Sequence, residues 1–391
     1  MLRWLEPKEI GMWQAIAIIQ AYLPFAQLGI QSGLNRDLPV LLGSSETEKA
    51  SKLIATAKAY AFLLSFLFIV FTIVAVIVLY IIREPVSLIA GIATIGIMAA
   101  SFSYQNHLSV TFRSAKSFDK LAVVNFIYCF FSLGFLYFIY KYHYHGILIY
   151  YILSNISLAC LTHYARPFKT IVPKLRLADF IHLFRTGLIM MSFNQIRSIS
   201  LSLPKLIILK LKGISALGLY SPALAVNSMF SVLPFALAQF FHPQMGFKYG
   251  RNGNARQLWK PTQQLFWFII LSGIPIAVIL WFSAPMLLNS FFPKYIDSLW
   301  PMRIMSVAFI FSSSYTTHGV LYSIKAYKFA YFYSATELIG YFLFPLIFIS
   351  IGSNFLIDVT LGILFNNFFL SVLNYFLLKY VLHLPSYNQS D

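Results

Sequence analysis

An all-α integral membrane protein with two like-oriented helical lobes is the fold class this chain predicts, on three observations. Apolar residues fill 59% of its 391 positions and charged residues only 10%, against roughly 25% charged in a soluble domain. Eleven stretches approach the length of about 20 apolar residues that a helix needs to cross a hydrocarbon core. The order of those stretches also repeats along the chain at an offset of 207 residues.

The predicted spans cover about 11–34, 59–82, 86–112, 121–140, 146–163, 186–208, 215–240, 262–284, 300–322, 330–350 and 355–378. None alternates apolar and polar residues over about ten positions, which argues against a β-barrel. With residue 1 outside and the spans alternating, nineteen of the 29 Lys and Arg fall in inner segments, seven in outer segments and three within spans. That bias predicts an outer N-terminus and a cytoplasmic C-terminus. It also turns the net charge of +17 into a topology signal and away from a nucleic-acid partner. Cys129 and Cys160 both fall within spans, so no disulfide framework is expected. The first apolar run is long and lacks a small-residue cleavage site, so no cleavable signal is expected.

The repeat aligns EIGMWQAIAII (9–19) with ALGLYSPALAV (216–226), pairing Gly11 with Gly218 and Trp13 with Tyr220. At the same offset Lys49 meets Arg256, and each of the next four spans overlaps a later one. Parallel repeats predict halves related by an axis along the membrane normal. The second half opens with span 186–208, whose counterpart would precede Met1, so the sequence predicts that a first helix is missing. The expected domains are an N-terminal lobe over 1–163 with about five spans, a basic connecting segment over 164–185 on the inner side, and a C-terminal lobe over 186–391 with six spans. The connecting segment carries Arg166, Lys169, Lys174, Arg176 and Arg185 beside Leu175, Leu177, Phe180, Ile181 and Phe184. It reads either as a helix lying on the inner surface or as a basic linker.

GMWQAIAIIQAYLPFAQLGIQSGLNRDLP (11–39) resembles the second span of polysaccharide flippases, the lipid-linked oligosaccharide exporters of the multidrug/oligosaccharidyl-lipid/polysaccharide superfamily. GISALGLYSPALAVNSMFSVLPFALAQFFHPQMG (213–246) is similar to their eighth span, with Pro243 at its inner end. By span order the resemblance covers nearly the whole chain. It implies a MATE-like V of two six-helix lobes around a central cavity, here without the first helix. It further implies a carrier, not an enzyme, that flips an undecaprenyl-pyrophosphate-linked oligosaccharide unit (O-antigen, capsule, lipopolysaccharide or exopolysaccharide type) across the bacterial inner membrane by alternating access. Partners would be that lipid-linked oligosaccharide, membrane lipids, and a proton or sodium ion for coupling. Members often carry an Asp-Arg pair late in the seventh span; this chain has Pro204-Lys205 there, which keeps only the cation.

Polar residues inside the predicted spans are the candidate sites. Arg197 is the midpoint of span 186–208, where a charge costs about 2.5–3.5 kcal/mol on insertion scales. Asn194, Arg197, Ser198 and Lys205 fall within an arc of about 100° on a helical wheel. They predict a cavity face for the pyrophosphate, or alternatively an ion pair between Arg197 and Glu337. Lys205 and Arg303, near outer ends, read as cavity cations or as snorkelling side chains. Gln20, Gln27 and Gln31 share a face if the first span is one helix, and predict a cavity lining for sugar hydroxyls, or interhelical hydrogen bonds. Arg36 closes that span beside Asp37, as a topology anchor or as the family's recurring Arg. Glu337 and Asp358 are ion-coupling candidates, or structural partners of basic residues. Gln105, Asn106 and His107 predict an interior polar face. His143 and His145 lack a supporting ligand, so neither a metal site nor a cofactor is expected. Competing functions are a drug or small-molecule exporter of the same superfamily, a membrane-embedded polysaccharide polymerase or glycosyltransferase, and a non-transporting remnant. Deep acids are too scarce for a cation exporter, and the outer loops are too short for the polymerase.

Overall fold

The structure, a computed structural model, describes residues 2–252, 254–312 and 314–387, less several side chains within 233–253 and those of 313–318. Its helices are α1 (Pro7–Ala17), α2 (Leu23–Ala26), α3 (Ile30–Gly43), α4 (Thr47–Ile81), α5 (Val86–Ser114), α6 (Phe118–Ala165), α7 (Leu177–Leu219), α8 (Ser221–Asn252), α9 (Trp259–Phe291), α10 (Leu299–Ile310), α11 (Ser314–Ser323), α12 (Tyr327–Ile351) and α13 (Phe355–His383).

Among the described residues, six helices are long and apolar enough to cross a membrane, or seven when the α7–α8 pair, bent by 75°, counts as one span. The difference from eleven predicted spans has identifiable causes. Span 11–34 is broken into α1, a 3₁₀ turn over Ile18–Tyr22, α2 and the start of α3. Span 300–322 is divided into α10 and α11. Spans 121–140 and 146–163 form two arms of the 48-residue α6, which folds back at His143 with φ 48°. The KYHYHG motif is therefore a turn, tied down where the His143 ring bonds the Trp4 carbonyl at 2.8 Å.

The predicted repeat is visible in the helices. Shifting α4 by 207 residues covers the 3₁₀ turn Ala255–Leu258 and α9, and shifting α5 covers Pro293–Ser298, α10 and α11. The two arms of α6 land on α12 and α13. Comparable positions also take the same unusual backbone: Lys116 before α6 and Lys325 before α12 are both left-handed, at φ 52° and 57°.

The chain packs as two units. The first holds Met12–Ser198 with Arg3–Leu5, and the second Glu6–Gly11 with Ile199–Asp391. The sequence divides the lobes at residue 186, whereas the structure assigns 164–198 to the first unit. Residues 167–176 form neither a helix nor a loose linker. The Lys58 ammonium donates to the Ile171 carbonyl at 2.8 Å, the Lys174 amide to Ala55 at 3.1 Å, and the Thr56 hydroxyl to the Lys174 carbonyl at 3.3 Å. Phe168, Ile171, Phe180 and Phe184 then pack on a core of Ile30, Leu34, Leu38, Leu53, Ile54 and Leu183.

Polarity runs outward in the sense expected of a bilayer solvent. Phe66, Phe71, Ile81, Phe126 and Phe282 are exposed, while Gln27, Gln31, Asn366 and Asn374 are buried. Cys129 and Cys160 are exposed and free. Small residues let helices touch at backbone distance. A Cβ on Gly187 would stand 1.9 Å from the Gly29 carbonyl oxygen, and one on Gly33 2.4 Å from that of Leu183.

Replacing Gly187 by Leu must separate α7 from α3, and overpacking of this kind costs about 1–3 kcal/mol or more. The matched Gly134→Leu change meets nothing within 4 Å. Thermal unfolding in detergent is expected to show a lowered midpoint for the first variant and a wild-type midpoint for the second.

Candidate functional site: an amide-lined pocket at a broken helix

Pro24 in α2 and the left-handed pair Leu28 (φ 49°) and Gly29 (φ 76°) interrupt the first span. Glycine is required at 29 for both its backbone angle and the close approach of Gly187. In hydrocarbon, the backbone groups freed by a break must find partners within the protein, and α4 meets one of them: the Tyr60 hydroxyl donates to the Ala26 carbonyl at 2.7 Å. The side-chain amide of Gln31 also anchors to α4, donating to the Ala57 carbonyl at 3.3 Å. Discontinuous membrane helices of this kind recur at transporter binding sites.

Beside the break lies a pocket of about 290 Å³ contained within the first unit. Pro24, Gln27, Gly29, Gln31, Ser32 and Asn35 line it from the broken span, Phe102, Asn106, Val110 and Arg113 from α5, and Met190, Met191, Asn194 and Gln195 from α7. Gln27, Gln31 and Gln195 are 5%, 4% and 2% exposed, so each amide depends on what it meets inside. Gln27 accepts from the Asn106 amide at 2.6 Å, but its own Nε2 has no protein partner. The Oε1 atoms of Gln31 and Gln195 are in the same position. An unmade bond of this type costs about 1–3 kcal/mol. The gathering of amide side chains on one wall marks the space as a place for water or a polar ligand. Amide side chains carry both donors and acceptors to the wall and Arg113 adds a cation, which suits hydroxyl-rich or phosphorylated ligands.

Several predicted residues meet here and others do not. Gln27, Gln31 and Asn194 line the pocket. Gln20 does not share their face, because Pro24 and Gly29 break the register; its amide reaches the Met98 sulfur at 3.5 Å. Arg36 is paired with Asp37 at 2.8 Å, and Asp37 in turn with His182 at 2.9 Å. Arg197 is half-buried on α7 and is not among the lining residues. Lys205, Arg303, Glu337 and Asp358 belong to the second unit. Arg303 is clamped there: it donates to the Trp281 carbonyl at 2.9 Å and lies 5.4 and 5.3 Å from the rings of Trp281 and Trp300. Lys205 is half-buried on the second half of α7. Glu337 is 1% exposed on α12. Asp358, in the first turn of α13, lies against the backbone of Gly352 where α12 ends. The side chain of Pro243 lies outside the described residues. Sequence reasoning did not single out Gln195 or Arg113; a signal for Gln195 was its place one residue after Asn194, with Met190 and Met191 a turn earlier.

The profile of the family described as "Polysaccharide biosynthesis protein" matches residues 1–249. The chain belongs to that family. No curated protein matches it. Among solved structures it is similar to a multidrug resistance MATE family transporter of the MOP superfamily in an inward-facing conformation, with TM-score 0.79 and 14% identity over 97% of this chain and 92% of that one. It is also similar to an outward-facing structure of a MATE family transporter, with TM-score 0.67 and 13% identity over 97% of each chain. A third likeness is to a MATE structure in the bent conformation, with TM-score 0.67 and 14% identity over 97% and 94%. These likenesses establish the fold, and with the outward-facing apolar surface they make this family member a multi-pass membrane protein.

If the pocket is wet, Asn35→Cys, placed in a chain freed of Cys129 and Cys160, should react with a water-soluble maleimide. Ile139→Cys, at a fully buried position, should not.

Proposed function

We propose that this polysaccharide biosynthesis protein is a flippase carrying an undecaprenyl-pyrophosphate-linked oligosaccharide unit across the bacterial inner membrane by alternating access. The observation that carries the reading is the convergence of Gln27, Gln31, Asn106, Asn194 and Gln195 with Arg113 on one pocket at a helix break. Neutral amides in that number match the alternating donors and acceptors of sugar hydroxyls, and the guanidinium matches a phosphate. At about 290 Å³ the pocket is at the lower limit of small-molecule sites, usually about 300–1,000 Å³. It therefore suits one or two sugar rings or a diphosphate and not a whole lipid-linked unit.

In this reading the two units act as the moving lobes, and the charge bias sets the N-terminus outside. Glu337, buried on α12 one turn before Gly340, which packs against Asn366 of α13, is the position for a coupling proton or sodium ion. Carrier chemistry needs no catalytic residue, so the protein is not an enzyme. The fold likeness also admits export of a small molecule, but the family match and the hydroxyl-seeking lining favour the oligosaccharide.

The test is complementation in a bacterium lacking its own flippase. The chain should restore surface polysaccharide. A Gln27→Leu/Gln31→Leu variant at equal membrane abundance should lose about tenfold of that activity, since two lost hydrogen bonds are worth about 1–3 kcal/mol together. Arg197→Ala should cost less than the glutamine pair. No surface polysaccharide from the wild-type chain in a strain supplying a cognate lipid-linked unit, or full export by the double variant, would overturn the proposal.

A further inference from the structure

On the opposite face of α5 from the amide pocket lies a second, more open space of about 560 Å³, lined by Tyr104, Ala159, Cys160, His163, Tyr164, Arg166 and Lys169. Phe102 and Asn106 are four residues apart and both face the first pocket. Tyr104, midway between them, must point the other way on a helix. The two spaces are therefore separate, and both lie within the first unit.

The groove has a basic rim and an apolar wall. Arg166 ends α6 by donating from Nη1 to the His163 carbonyl at 2.6 Å, while its Nε is buried with no partner in the protein. The His163 ring is held by the Tyr104 hydroxyl at 2.7 Å. Lys169 lies 5.4 Å from the centre of the Tyr164 ring, and the Lys58 charge is near enough to act on Arg166. No carboxylate lines the groove among the described residues. Like charges gathered with no carboxylate on the lining make a site short of an anion.

The wall tells what the anion is attached to. Ile156, Cys160 and Tyr164 succeed one another at four-residue spacing, so they form one strip along α6. All three are exposed, Tyr164 at 80%. That strip belongs to the apolar outer surface and ends at Arg166 and Lys169. A phosphate on the rim would therefore have its hydrocarbon tail running along α6 in the bilayer.

We propose that this groove is a binding site for an anionic phospholipid of the surrounding bilayer, its phosphodiester accepting from Arg166 and Lys169 and its acyl chain lying on Ile156 and Cys160. The site is independent of what the amide pocket carries. It faces the lipid, not the space beside the broken helix, which is why a bulk phospholipid and not the transported lipid is its occupant.

The experiment is native mass spectrometry of the full chain in detergent with phosphatidylglycerol, phosphatidylethanolamine or a polyprenyl diphosphate added. The wild type should retain phosphatidylglycerol in preference to phosphatidylethanolamine. Each basic residue near an anionic lipid contributes about a fivefold effect, so Arg166→Gln/Lys169→Gln should lower retention about tenfold or more. Lys169→Gln alone, at an exposed position, should lower it in part. Asn106→Ala, in the other pocket, should leave it unchanged. Equal retention of the two phospholipids, or an undiminished signal from the double variant, would overturn the proposal. So would a polyprenyl diphosphate displacing phosphatidylglycerol in a manner that depends on Arg166 and Lys169, because the groove would then serve the carrier lipid.

Discussion

A bilayer offers no water to a backbone group released from its helix, and the layout of the first unit follows from that constraint. Pro24, Leu28 and Gly29 open the first span, and each group set free needs a partner from a neighbour. Tyr60 on α4 supplies one to the Ala26 carbonyl, while the side chains of Gln31 and Gln27 bond the Ala57 carbonyl of α4 and the Asn106 amide of α5. Their supply is incomplete at the side chains: the amides of Gln27, Gln31 and Gln195 each keep one atom unmet. The three side chains line one pocket, so the amides that a membrane span tolerates least are gathered at one polar place.

Close glycine approaches seat α7 beside the same break. The Gly29–Gly187 and Gly33–Leu183 approaches bring α7 against the broken span at backbone distance, which places Asn194 and Gln195 on the pocket wall. The segment laid over the start of α4 fixes the helix that follows it. Core packing by Phe168, Phe180 and Phe184 and the site's geometry are thus parts of one arrangement.

Much of the architecture could be read from the residues. Apolar run lengths pointed to the long helices α4, α5, α6, α9, α12 and α13, and the offset of 207 anticipated the shared order of α4 to α6 and α9 to α13. What failed was local. Hydropathy averages over a window, so it did not register that Pro24 and Gly29 break a run that stays apolar throughout; Gln20 was consequently put on a face it does not share. Charge position alone could not separate Arg303, sandwiched between Trp281 and Trp300, from a cavity cation, since the two tryptophans lie 19 residues apart in sequence and meet only in the fold. Gln27, Gln31 and Asn194 were legible because amides in a span are costly wherever they point. Gln195 and Arg113 were not, because their role depends on which face of a packed helix looks toward the break.

One contact in the second unit bears on how the chain is made. Gly11 and Gly218 occupy equivalent places in the repeat, and they touch: a Cβ on Gly218 would stand 1.6 Å from the Pro7 carbonyl, and one on Gly11 2.0 Å from that of Ile214. At 5–20 residues per second, a ribosome needs about 10–40 s to travel from the first glycine to the second. The opening turn of α1 must therefore wait in the membrane, its partner unsynthesised, while the whole first unit is being inserted. Its short length and the paired Glu6 and Lys294 side chains, 2.5 Å apart once both exist, make residues synthesised ahead of the first unit among the last to find their place.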